Sequence, residues 1–191
     1  LGVERGTVPE ERCRAYLAEL ETIPDKIGSI LDAKERLQWF SSKFANAHDV
    51  FLIGRGIDYA ACMEGSLKIK EISFVHSEAY AAGELKHGTI SLMEKGTMVI
   101  GVLTQSDLFE KTVSNLIECK ARGAYIAVLT GEENCSIEEI ADFTMYVPEI
   151  GQHFMGSLAL IPLQLLGFYI SIAKGLDPDK PRNLAKSVTV E

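Results

Sequence analysis

Metal-binding and disulfide signatures are the most informative absences in this sequence. The four cysteines, Cys13, Cys62, Cys119 and Cys135, stand far apart with no CxxC pair. The four histidines, His48, His76, His87 and His153, show no HxxxH or comparable spacing. Zinc ligation and a disulfide framework therefore have little support, and reduced thiols in a cytoplasmic protein are the expected state. No run of basic residues occurs either. With 19 Lys and Arg against 27 Asp and Glu, the formal net charge is -8. Neutralising a phosphate backbone needs clustered cations, so a general nucleic-acid surface is excluded. A single small anion is not, because two or three local cations and backbone N–H groups suffice to hold one.

There is no internal repeat and no low-complexity tract. Long apolar runs are nearly absent too: only Phe154 to Ala173 approaches the ~20 residues that a membrane span requires. Ser157, Pro162, Gln164 and Ser171 interrupt it, so a core helix packed on several sides is expected, and no membrane. The chain opens without methionine or a secretory pattern at Leu1-Gly2-Val3, which suggests a piece cut from something longer.

What is present reads as helices followed by alternating strands and helices. Thr7-Val8-Pro9-Glu10-Glu11 carries a cap candidate, an early proline and acids for a first turn, and Pro24-Asp25 restarts a second helix through Phe44. Residues 1–48 are thus expected to form an arm of two helices. Val50-Phe51-Leu52-Ile53 then runs into Gly54-Arg55-Gly56, a helix follows from Asp58 to Ser73, and His76 to Ala81 reads as a strand. Thr97 to Thr104, Ala124 to Thr130 and Phe143 to Val147 are further strands. Helices are expected at Asp107–Arg122, at Ser136–Ala141 and from about Gln152 to Lys174. Continuous apolar strands alternating with helices predict an α/β fold, a doubly wound parallel sheet of flavodoxin-like type over residues 49–175. Residues 176–191, rich in proline and polar side chains, form a tail.

Four places could carry chemistry. Glycines at the Gly54-Arg55-Gly56 turn let backbone approach an anion at a helix start, although an ordinary turn uses glycine in the same way. Glu64, Lys68 and Glu71 share one helix face by their spacing; a solvated salt-bridge stripe would look the same, but a carboxylate beside a lysine near strand carboxyl ends suits proton transfer at carbon. His87, within Gly83-Glu84-Leu85-Lys86-His87-Gly88, is expected to be exposed on a loop and able to act as acid or base. Lys186 lies in the tail, where a lysine is ordinarily just solvated.

The wording of three blocks goes further than their spacing. Glu64-Gly65-Ser66-Leu67-Lys68-Ile69-Lys70-Glu71-Ile72-Ser73 with His76-Ser77-Glu78-Ala79-Tyr80-Ala81-Ala82-Gly83-Glu84-Leu85-Lys86-His87-Gly88, then Pro162-Leu163-Gln164-Leu165-Leu166, then Pro181-Arg182-Asn183-Leu184-Ala185-Lys186-Ser187-Val188-Thr189-Val190-Glu191, resemble the glucosamine-6-phosphate synthase family. That family makes glucosamine 6-phosphate from fructose 6-phosphate and glutamine, using a glutaminase domain and two sugar-isomerase (SIS) domains. The resemblance implies that this chain is the second SIS domain, lacking the glutaminase and first SIS domains. It further implies that Glu71 is the base shuttling a proton between C1 and C2, that Lys68 assists it and that Glu64 supports the pair. His87 would open the sugar ring and reach the neighbouring site of a homodimer, and Lys186 would form a Schiff base with the ketose. No cofactor or metal is implied. The family's phosphate grip belongs to the absent domain, so Thr104-Gln105-Ser106 is read as structural. The rival reading is a non-catalytic sugar-phosphate-binding SIS module, which would have no need of Glu71, His87 and Lys186 together.

Overall fold

Strands with apolar side chains on both faces can be stable only when both faces are covered, and that requirement sets the architecture. The computed structural model describes residues 1–184. Five strands, β1 (Asp49–Gly54), β2 (His76–Ala81), β3 (Met98–Leu103), β4 (Tyr125–Gly131) and β5 (Phe143–Val147), form one sheet in the order β2-β1-β3-β4-β5. Every pairing is parallel, with Leu52 opposite Ile100, Ile100 opposite Ala127 and Ala127 opposite Phe143. This is the doubly wound order in which the chain reverses direction between β1 and β3.

The helices are α1 (Glu10–Glu21), α2 (Ile23–Asp32), α3 (Lys34–Phe44), α4 (Ile57–Ser73), α5 (Phe109–Lys120) and α6 (Gln152–Ala173). Because strand side chains alternate, Val50, Leu52, Met98, Ile100 and Leu129 face one layer with α3, α4 and α6, while Phe51, Ile53, Val99, Ile126 and Val128 face the other with α5. Leu158, Ala159, Leu163, Leu166 and Ile170 of α6 are fully buried in the first layer. Each such leucine or isoleucine contributes about 1.5–3 kcal/mol by leaving water, more than enough to tolerate Pro162 within the helix. By length and composition α6 could cross a membrane, yet it is a core helix here, packed against α4 and α3.

The amino-terminal region departs from the sequence expectation in two ways. It holds three helices rather than two, because the chain leaves helical geometry at Ala33 between α2 and α3. Thr7 caps nothing: α1 starts after Pro9, and the Thr7 hydroxyl donates to the Gly2 carbonyl at 3.1 Å. α3 belongs to the core, with Phe40 stacked on Phe143 at 4.2 Å between ring centroids. Two expected helical stretches are partly or wholly 3-10 turns: Ser106–Leu108 precedes α5, and Cys135–Glu139 replaces the short helix.

Candidate functional site

α4 is where the sequence-derived candidates meet. Its inward side carries Ala61, Cys62, Gly65, Ser66 and Ile69 against the sheet and α6. Gly65 permits that closeness, since a Cβ there would come within 2.8 Å of Leu163. An adjoining flank carries Glu64, Lys68 and Glu71, with Glu64 and Lys68 lining grooves against α6. Lys68 Nζ donates to Glu71 Oε2 at 2.8 Å and stands 3.6 Å from Glu64 Oε1. The side chains are about a third exposed: Lys68 33%, Glu64 38% and Glu71 28%. The hydrogen bond that Lys68 donates to Glu71, with the charges of Glu71 and Glu64, holds the Lys68 pKa above its ordinary value against a smaller opposing effect of burial. Lys68 is therefore an ammonium at neutral pH. Such half-exposed pairs contribute only about 0–1 kcal/mol, so the stripe is not what fixes α4 in the fold.

The stripe borders an open groove of about 380 Å³ lined by Lys68, Ile72, Gln164, Phe168, Pro178 and Asp179. The last two residues belong to the segment leaving α6, so the carboxy-terminal chain runs beside Lys68. Arg182 then stacks on Phe74, its guanidinium carbon 4.3 Å from the ring centroid. Phe74 closes α4 in the left-handed conformation at φ 56°, unusual for a bulky residue, with its N–H bonded to the Lys70 carbonyl. The roles of Arg182 and Phe74 were not legible in sequence. Each is an ordinary residue whose partner lies over a hundred positions away.

One expectation requires correction. Glu71, at the far end of the Glu64–Lys68–Glu71 face, is not near the strand carboxyl ends, whereas Glu64 lines a groove with Ile57 at the start of α4 and His153 and Gly156 at the start of α6. α4 starts at those carboxyl ends, after β1, and descends to the amino ends, where β2 begins; Glu71 lies 14 residues into the helix, about 21 Å from its start. His87 takes the opposite position. It ends the 3-10 segment Ala82–His87 that follows β2 at the carboxyl end, and it is exposed. Five residue steps of β2, about 17 Å of strand, lie between the two levels. The structure thus brings Glu64, Lys68 and Glu71 together and leaves His87 away from them. Lys186 lies outside the described residues. A separate cavity of about 140 Å³, between α2, α3 and β5, is lined by Arg36, Leu37, Phe143 and Tyr146 among others and contains none of the candidates.

The fold is that of a sugar-isomerase domain: residues 43–173 match the SIS domain model, and the chain belongs to that family. The glutamine–fructose-6-phosphate aminotransferase (isomerizing) of Caldanaerobacter subterraneus is 51% identical over 189 residues, 99% of this chain, and that of Clostridium acetobutylicum is 48% identical over 187 residues. This chain spans about 31% of the length of each of those relatives. A solved structure, the C-terminal domain of glucosamine-fructose-6-phosphate aminotransferase from Francisella tularensis, superposes with a TM-score of 0.84 at 30% identity, covering 92% of this chain and 49% of that one. The family resemblance and the doubly wound fold drawn from the sequence are both borne out.

Proposed function

We propose that this chain supplies the ketose-to-aldose isomerisation residues of an enzyme that converts fructose 6-phosphate and glutamine to glucosamine 6-phosphate and glutamate. The observation that carries this reading is the Lys68–Glu71 pair, with Glu64 beside it, at a groove along which the carboxy-terminal segment already runs. From Arg182, anchored on Phe74, four residues lead to position 186, so the chain spans at most about 14 Å beyond its anchor. Phe74 is three residues from Glu71, so a terminal lysine has the reach to meet a sugar there. An iminium between Lys186 Nζ and C2 of the open ketose would be attacked by ammonia, releasing Lys186 and leaving on C2 an imine that acidifies the C1 hydrogen; Glu71 would then take that proton from C1 and return one to C2. Lys68 gives the carboxylate a fixed cation when ionised and a donor for the sugar hydroxyls. His87, outward-facing at the other end of the domain, would serve ring opening in a neighbouring subunit's site, which makes the working unit a cytoplasmic homodimer.

The groove is open and presents no phosphate-binding turn of its own beside Lys68 among the described residues. This supports a division of labour in which another SIS domain holds the phosphate and a glutaminase domain supplies ammonia. On that reading the 191 residues alone do not complete the reaction. The test is borohydride trapping with fructose 6-phosphate on the full-length protein. A stable sugar adduct at Lys186, lost in Lys186→Ala, is expected. Sugar-phosphate binding without any adduct would favour the regulatory binding module instead.

A further inference from the structure

In doubly wound sheets, ligands are held at the carboxyl ends of the strands where the strand order reverses, with anions placed against the first turn of the following helix. In this chain the reversal lies between β1 and β3, and an anion already occupies it. Asp58, the second residue of α4, is 2% exposed. It points its carboxylate at the turn following β3, where the Thr104 N–H donates to Oδ2 at 2.9 Å and the Thr104 hydroxyl to Oδ1 at 2.5 Å. Gln105, next along the turn, is close enough to help hold the carboxylate in its charged form. A backbone N–H and the hydroxyl of the same residue, converging from a turn at a strand's carboxyl end, are donors suited to a small oxyanion.

The backbone around Asp58 is shaped for this approach. A Cβ on Gly54 would lie 2.7 Å from the Asp58 carbonyl carbon and 2.9 Å from the Tyr59 nitrogen, so strand and helix touch there. Gly56 sits at φ 56° with the Gln105 side chain 3.1 Å from where its Cβ would be. Gln105 Nε2 also donates to the Arg55 carbonyl at 3.2 Å, which fastens the β3 turn to the β1 turn. An isolated buried carboxylate would cost several kcal/mol, and these donors are what make it tolerable. Burial still pushes the Asp58 carboxyl above its usual range, with the Thr104 bonds and the nearby Gln105 pulling the other way.

We propose that the Thr104–Gln105 turn is an oxyanion nest filled by the side chain of Asp58, so that this domain's strand-end crevice is closed to phosphate and loss of that carboxylate opens it. The inference stands apart from the sugar chemistry assigned to α4.

The experiment is an amide NMR titration of the 191-residue chain with inorganic phosphate, using chloride at matched ionic strength as control. In the unaltered chain the Thr104 and Gln105 amides should not respond to millimolar phosphate. In Asp58→Ser, whose shorter side chain leaves room, both should shift saturably, with apparent affinity at least about tenfold above that of the unaltered chain. Phosphate-dependent shifts in the unaltered chain, or a folded Asp58→Ser chain with unmoved amides, would overturn the proposal. Should Asp58→Ser not fold in either salt, Asp58→Asn decides, since it keeps the shape and removes the charge. The Thr104 amide proton should then move upfield and exchange about tenfold faster; an unchanged amide would mean that the carboxylate is not what the nest holds.

Discussion

The two ends of α4 carry acids in opposite circumstances. At its amino end Asp58 is buried, fully supplied with donors and closed off from solvent. Thirteen residues on, about 20 Å along the helix, Glu71 shares with Glu64 the ammonium of Lys68, which itself lines an open groove. The customary ligand position of this fold and the half-exposed charged cluster of this domain are therefore different places. Asp58 is engaged in internal hydrogen bonds, while the helix flank presents a carboxylate and a cation near the segment that carries Pro178 and Asp179.

Changing each end separately should break or sharpen that contrast. The largest effect is expected from Glu71→Gln in the full-length protein. Sugar isomerisation should fall by about 10²–10⁴, the usual cost of losing a general base, while glutamine hydrolysis is unaffected. Turnover surviving within a few-fold would remove Glu71 from the mechanism. Asp58→Asn, at the other end, should leave turnover per folded molecule within a few-fold.

The next effect concerns stability. Gly54→Ala places a methyl against α4 backbone that cannot rotate away, and overpacking of this kind costs about 1–3 kcal/mol. A urea midpoint lowered accordingly would confirm the strand–helix contact, whereas an unchanged midpoint would mean that the amino end of α4 is looser than described.

Smaller again is the tail anchor. Arg182→Ala removes a cation–π contact of about 0.5–1 kcal/mol, so kcat/KM for fructose 6-phosphate should drop about two- to fivefold in the full-length enzyme. Glutamine hydrolysis serves as the internal control. A loss shared by both activities would point to general unfolding rather than to the tail.

The smallest prediction lies at a third acid, Asp49, shared by His48 Nδ1 at 2.7 Å and His76 Nδ1 at 2.6 Å. The hydrogen bond to Asp49 raises the His48 pKa above 6.5, and the bonds to His48 and His76 lower that of Asp49 below 3.8. A raised histidine stabilises the fold fully below its unfolded pKa, and that contribution is lost as pH rises through the folded value. A lowered aspartate contributes above 3.8, losing its share as pH falls through the folded value. The cluster thus helps most between those limits. Asp49→Asn should return the His48 titration, followed by NMR, to its ordinary midpoint; an unmoved midpoint would refute the pairing.

Much of the fold could be read directly. The runs at residues 50–53, 97–104 and 124–130 carry no charged side chain and are apolar but for Thr97, Gly101, Thr104, Tyr125 and Thr130, which suits a sheet covered on both faces, and their alternation with helices points to parallel strands. The break at Ala33 was less legible because nothing in Leu31-Asp32-Ala33-Lys34 opposes a helix; packing of α3 on α6 and β5 bends the chain there. Three of the candidate residues were brought onto one face by helical spacing alone, whereas the level of Glu71 within the domain was misjudged. Spacing fixes angles around a helix axis, not which end of a sheet a residue reaches.

By itself the sequence determined the strands, the main helices of the domain, the parallel sheet, the membership in a sugar-isomerase family and the common face of Glu64, Lys68 and Glu71. These follow from short-range periodicity and from residue wording that the chain carries locally. Tertiary structure alone decided that Asp58 fills the crevice, that Arg182 rests on Phe74 and that His87 stands apart from Glu71. Each of those facts joins residues distant in the chain, and only the packing of strands and helices into one core sets the distance between them.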